Sequence, residues 1–166
     1  KGNMKKNLQT IILALTIAFA GISLGCGAAG GVKEAAIKKP QVGESAVFRL
    51  RGTSYDATYY LSGVVQKIDG DKYEIMRDDN NLMKADAPDV YPYPKEGSKI
   101  DVKVGDYVVA NSSDRVWIGG EVSSVSESVI EVKTKGRSFP VIKPKLDKII
   151  KVSPEATAEI KDFFAK

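Results

Sequence analysis

Residues 59–75, YYLSGVVQKIDGDKYEI, lie over residues 116–132, VWIGGEVSSVSESVIEV, without a gap. Tyr60 meets Trp117, Leu61 meets Ile118, Gly63 meets Gly120, Val65 meets Val122, Ile68 meets Val125, Glu74 meets Glu131 and Ile75 meets Val132, all at an offset of 57. Upstream, Val42-Gly43-Glu44 matches Val104-Gly105-Asp106 at an offset of 62, so the first copy carries five extra residues around Arg51 to Thr58. Downstream, Val90 and Tyr91 stand near the place of Ile149 and Ile150. Such an internal duplication constrains the fold more than any single motif, because the two copies should form the same supersecondary unit.

Each copy is rich in Val, Ile, Tyr and Thr in short runs separated by Gly, Asp, Asn and Ser, which predicts short antiparallel strands. In the first copy strands are expected near Glu44 to Arg51, Thr58 to Ile68, Lys72 to Arg77 and Leu82 to Lys84, closing near Val90 and Tyr91. Asp69-Gly70 and Asp78-Asp79-Asn80-Asn81 supply the turns. The second copy repeats the order at Tyr107 to Asn111, Arg115 to Val125, Ser128 to Thr134, Arg137 to Ile142 and Lys148 to Val152. Gly63, Gly119 and Gly120 stand in mid-strand, where a missing Cβ permits a sharp bend.

A VGD-type turn, a Gly-Val strand, a hairpin and a closing hydrophobic pair, in that order and twice over, resemble the SH3-like barrels of the Tudor and Agenet type arranged in tandem. The resemblance spans roughly residues 41–152 and implies an all-β fold of two five-stranded barrels, residues 41–93 and 94–152. Barrels of about 50 residues bury little surface alone, so the two are expected to pack together. Tyr91-Pro92-Tyr93-Pro94-Lys95-Glu96-Gly97 reads as a stiff connector, since proline fixes φ and keeps its neighbour extended. Residues 153–166 should close the chain as a short helix, with Ser153 as cap, Pro154 at the first helical position and Glu155 in the first turn. Its apolar stripe of Ile160, Phe163 and Phe164 needs a surface to cover it, most simply its own barrels.

The N-terminus reads differently. From Met4 two lysines precede an apolar run, Ile11 to Gly25, broken only by Thr16 and Ser23. This is the layout of a secretory signal over residues 1–25, and about 15 apolar residues are short of the roughly 20 that span a bilayer. Cys26 follows Ser23, Leu24 and Gly25, which resembles the lipobox of bacterial lipoproteins and implies thioether lipidation of Cys26. Ser23 and Leu24 depart from the usual Leu and small residue of that motif. The same Ser23 and Gly25 also suit ordinary signal cleavage, and both readings stand at this point. Residues 26–40 mix Gly, Ala and Lys without strand alternation and read as a lipid-anchored flexible tether. Gly27 after the cysteine favours, by the same resemblance, export to the outer membrane.

Composition removes whole classes of function. There is no His and one Cys in 166 residues, which excludes Ser-His-Asp and Cys-His nucleophilic catalysis and an intrachain disulfide, and leaves no metal site or cofactor to expect. Three of the 25 basic residues, Lys1, Lys5 and Lys6, precede the apolar run, leaving 22 against 21 acids, so nucleic acid is not an expected partner. Asp69, Asp71, Asp78 and Asp79 lack calcium-loop spacing and read as turn residues. Two surfaces remain as binding candidates. An aromatic face could be built from Tyr55, Tyr59, Tyr60, Tyr91 and Trp117, with Tyr93 nearby, in competition with simple packing. A basic stretch, Lys133, Lys135, Arg137, Lys143, Lys145, Lys148 and Lys151, could meet lipid or lipopolysaccharide phosphates, with Lys143 and Lys145 at its centre. The expectation is a non-enzymatic, lipid-anchored envelope protein that binds another envelope protein, a peptide or a cell-wall component. The alternative is a polyanion binder.

Overall fold

The structure is a computed structural model that describes residues 37–49, 51, 58–113, 115–135 and 140–166. The expected signal segment, Cys26, Tyr55 and Arg137 lie outside the described residues. Strands form where the repeat places them. The first half holds β1 (Ser45–Phe48), β2 (Tyr59–Asp69), β3 (Lys72–Met76), β4 (Leu82–Asp86) and β5 (Val90–Pro92). The second holds β6 (Tyr107–Ser113), β7 (Val116–Val125), β8 (Ile130–Lys133), β9 (Val141–Ile142) and β10 (Ile149–Lys151), followed by α1 (Pro154–Ala165). The chain is thus mostly β with one C-terminal α-helix among the described residues.

The two halves share one connectivity. In the first, β1 pairs with β2 and β5, β2 with β3, and β3 with β4; in the second, β6 pairs with β7 and β10, β7 with β8, and β8 with β9. Every one of these pairs is antiparallel. The likeness extends to irregularities. β2 bulges against β3 between Val65 and Lys67, and β7 bulges against β8 between Val122 and Ser124, the same positions at the offset of 57. Gly43, at φ +86°, donates to the Val65 carbonyl at 2.8 Å, and Gly105, at φ +92°, donates to the Val122 carbonyl at 2.8 Å. Both glycines occupy left-handed backbone, which a residue with a Cβ resists.

A third pairing joins the halves. β2 runs antiparallel to β7 with Tyr59 opposite Ile118, Tyr60 opposite Trp117 and Leu61 opposite Val116. The repeat makes Tyr59 equivalent to Val116, Tyr60 to Trp117 and Leu61 to Ile118, so exchanging each residue for its equivalent turns the Tyr59–Ile118 pair into Val116–Leu61 and returns Tyr60–Trp117 to itself. That self-complementary register defines a local two-fold axis through the Tyr60–Trp117 pair. The halves, expected to pack together, are joined by hydrogen bonds that run continuously from one to the other through β2 and β7, and the described residues fall in one compact unit.

Three cores result. Ala46, Phe48, Val65, Tyr73, Ile75, Ala85 and Val90 fill the first half. Their equivalents Val108, Ala110, Val122, Ile130, Val132, Ile142 and Ile149 fill the second, with Val102. The shared core between them contains Val47, Tyr60, Tyr91, Val109, Trp117, Ile150 and Val152, and α1 closes it with Ala156 and Ile160. Ser153 caps α1 as expected, its Oγ accepting the Ala156 N–H at 3.3 Å. Ile160 is fully buried and Phe164 packs partly into the same core, so the helix docks on its own fold.

Two expectations are corrected. The end of the stretch read as a free tether is packed: Pro40 is buried, Ile37 lies against the shared core, and the Lys39 ammonium donates to the Ala87 and Val90 carbonyls at 2.6 and 2.8 Å. Lysine reaches such a site by laying its apolar stem along the protein and satisfying its donors at the tip. The connector begins inside the sheet, since Tyr91 and Pro92 belong to β5.

Candidate functional site

The aromatic candidates separate into core and rim. Tyr60, Tyr91 and Trp117 are 1%, 0% and 0% exposed, so they do not form the accessible aromatic face that the sequence allowed; they pack the two-fold axis. The cause is the junction of the halves: β2–β7 pairing brings them edge to edge, and the faces they turn to each other are covered by the shared core that α1 closes. Tyr59 is half-buried. Tyr60 and Tyr91 meet edge-to-face with ring centres 6.3 Å apart. Burial pushes the hydroxyl pKa of both upward, and Tyr91 Oη lies 3.5 Å from Ser153 Oγ. Tyr60 Oη and Trp117 Nε1 are buried without a hydrogen-bond partner among the described residues. Because an unpaired buried hydroxyl costs about 1–3 kcal/mol, Tyr60→Phe should leave stability unchanged or raise it by about 1 kcal/mol. Thermal unfolding checks this, and a clear loss would reveal a bond to Oη.

Tyr93, like Tyr59, stays partly accessible. Its ring stands edge-on to Trp117 at 5.3 Å, half-buried, with the Lys148 ammonium 4.9 Å above its centre. A groove of about 350 Å³ opens beside it, lined by Ser45, Ser62, Gly63, Val64, Gln66, Met76, Arg77, Asp78 and Arg115. Arg115 and Asp78 form an exposed ion pair across its rim at 2.6 Å, and Arg77 pairs with Asp79 at 3.0 Å. Val64 is 38% exposed and gives the groove an apolar wall. The sequence carried no local sign of this site, because Ser62 and Arg115 are brought together only by β2–β7 pairing.

A second cleft, about 460 Å³, lies on the β3–β4 side of the first half. Its arginines are committed to structure. Arg51 donates to buried Asp89 at 2.8 Å and to Glu159 of α1 at 3.0 Å, and Arg49 also pairs with Glu159. The hydrogen bonds that Arg51 donates to Asp89 and Glu159 raise its pKa further above its ordinary value. Burial pushes the Glu159 carboxyl up, but the hydrogen bonds from Arg49 and Arg51 prevail and hold it below the usual carboxylate range. This cluster fastens α1 to the first half.

The basic candidates are dispersed. Lys143 is exposed and paired with Glu131 at 2.8 Å, a bond that raises its pKa; Lys145 is exposed on the following turn. Lys135 lies 6.0 Å from the Phe163 ring centre, and Lys148 is held over Tyr93. Of the turn aspartates, Asp79 acts locally, on Arg77 and on the Asn81 N–H at 3.2 Å, while Asp78 reaches across to Arg115 of the second half. Among the described residues no three His, Cys, Asp or Glu gather as for a metal ion, and no helix is long and apolar enough to cross a membrane.

No protein-family model matches the chain. No curated protein matches it in sequence. Solved structures similar to it include the crystal structure of Arabidopsis thaliana AGDP1 AGD34, at 15% identity and a TM-score of 0.43, covering 65% of this chain and 79% of that one. The crystal structure of ADCP1 tandem Agenet domain 3-4 is similar at 16% identity and a TM-score of 0.40, covering 65% and 77%.

Proposed function

We propose that this protein is a non-enzymatic binding module of the bacterial cell envelope, exported and lipidated at Cys26, in which each half is an SH3-like barrel and the fused pair holds an envelope protein, a peptide or a cell-wall component. The observation that carries the reading is the groove beside Tyr93, where an aromatic edge, an apolar wall and opposed charges meet at the junction of the halves. That mixture suits recognition of a polypeptide, for which apolar contact supplies affinity and a few polar groups fix orientation. A chain without His lacks the commonest general base, which fits the non-enzymatic reading.

Crosslinking in intact envelopes, followed by capture at increasing salt, tests the reading. Capture that survives salt and is unchanged in a Lys143→Glu, Lys145→Glu double variant supports the module. Steep loss with salt, deepened by the double variant, would instead make the protein a polyanion binder. Mass spectrometry of the mature N-terminus tests the anchor: the lipid adduct is expected on Cys26, and an unmodified peptide containing it removes lipidation.

A further inference from the structure

The axis that relates the two halves also relates their surfaces, and α1 breaks the symmetry because one helix follows two copies. On the second half, α1 sits where Gly119 lacks a side chain: Ile160 Cγ1 and Cδ1 lie 3.0 Å from where a Cβ on Gly119 would stand, with Thr58 at the same spot. Phe164 meets Tyr107 edge-on at 6.0 Å, and Phe163 lies under Lys135. The repeat offsets carry Gly119 to Ser62, Thr58 to Arg115, Tyr107 to Ser45 and Lys135 to Asp78. All four equivalents line the one groove of about 350 Å³ beside Tyr93, and among the described residues no element fills it. The groove is therefore the counterpart, on the first half, of the surface that α1 covers on the second.

We propose that this groove seats a short, acidic amphipathic helix of a partner protein, with a small residue at its centre where α1 has Ile160; the proposal rests on the binding-module reading. Helical form follows from the shared backbone of the two surfaces, which repeat the same strands and the same bulge. The small residue follows from the exchange at equivalent positions: Ser62 carries a Cβ and a hydroxyl where Gly119 has neither, and Ile160 already stands 3.0 Å from where a Cβ on Gly119 would be. Acidity follows from the rim. Arg115 and Arg77 stand where the α1 seat has Thr58 and Thr134. The Arg115–Asp78 pair has side chains 69% and 48% exposed, so it opens at little cost to an incoming carboxylate. α1 itself shows the preference, since it sets Glu155, Glu159 and Asp162 against Lys161 and meets Arg49 and Arg51 through Glu159.

The probe is a pair of peptides spanning residues 153–166, each crosslinked across exposed positions 161 and 165 to hold the helix, one unaltered and one with Ile160→Ala. They are titrated into the 15N-labelled full chain. The Ala-bearing peptide should move the amide signals of Ser62, Val64, Gln66 and Arg115 and bind about tenfold more tightly than the unaltered peptide, the effect of relieving one buried clash. Ser62→Gly should reverse that order by giving Ile160 its space, and Arg115→Glu should weaken both peptides. Groove signals that stay still for both peptides, or an order of affinity that Ser62→Gly leaves unchanged, would overturn the proposal. If the groove stays silent while an envelope partner is captured on another face, the helix seat falls and the binding module stands.

Discussion

Trp117→Ala should cost about 3–5 kcal/mol of unfolding free energy, the range for deleting a large aromatic from a packed core. Trp117 is the only tryptophan, is fully buried, and stands at the local two-fold axis, in a core built from both halves and from α1. Set against a total stability of about 5–15 kcal/mol, the loss removes a large share of what holds the fold. Because the cavity would open in the shared core, the variant should still unfold in one step, with both halves weakened together. Denaturant unfolding followed by circular dichroism measures this. A loss below about 1 kcal/mol, or an intermediate in which one half survives, would show that the halves do not depend on their junction. In the unaltered protein the same tryptophan should emit at short wavelength and shift to long wavelength on unfolding, since it moves from a dry core into water.

The dependence on the junction explains which parts of the molecule could be read from the amino acids. Strand positions were legible because turn residues punctuate runs of β-formers and the copies check each other: the Asp69-Gly70 turn reappears as the β2–β3 hairpin. The face that each strand buries was less legible. β7 is buried at four consecutive positions, Trp117 to Gly120, because one side faces its own half and the other faces the shared core and α1. Local alternation describes a strand with one wet face, and it cannot announce a second covered face supplied by residues 57 positions away. Tyr60, Tyr91 and Trp117 looked available to a ligand for that reason, and the pairing of β2 with β7 put them inside.

The groove illustrates the same limit from the other side. Ser62 and Arg115 have no local pattern in common, yet the two-fold axis places both on one wall, and the repeat offsets identify them as partners of Gly119 and Thr58 once that axis is known. Lys39 is a further case. A lysine near a Gly- and Ala-rich stretch reads as solvated, but its ammonium finds two carbonyl acceptors and the Tyr91 ring 5.1 Å away. Burial lowers its pKa, against the opposing pull of Asp89. Where function depended on which surfaces stay open, three-dimensional pairing decided the outcome.

Gly63→Ala and Gly120→Ala should each cost about 3 kcal/mol, the upper end for forcing atoms into a filled core. A Cβ on Gly63 would stand 2.5 Å from the Met76 carbonyl oxygen and 2.8 Å from Ile75 Cγ2. On Gly120 it would stand 2.6 Å from Val132 Cγ1 and closer still to the Lys133 carbonyl oxygen. These are equivalent positions in the two halves, where the long central strand coils over the next one so tightly that backbone meets backbone. A flexible side chain can swing away from such a clash, but a hydrogen-bonded strand cannot without breaking its ladder. Gly119→Ala is the informative contrast, because its new methyl would meet Ile160 side-chain carbons at 3.0 Å and the helix can shift to admit it. Gly43→Ala is a second contrast, with open space around the Cβ and only its left-handed φ to resist, about 1–2 kcal/mol. Urea unfolding followed by Trp117 emission should therefore rank Gly63 and Gly120 as most costly and nearly equal, with Gly43 and Gly119 milder. Gly120→Ala tolerated as well as Gly43→Ala would mean that the strands do not approach so closely. Unequal losses at Gly63 and Gly120 would mean that the duplication does not extend to how the two halves bend.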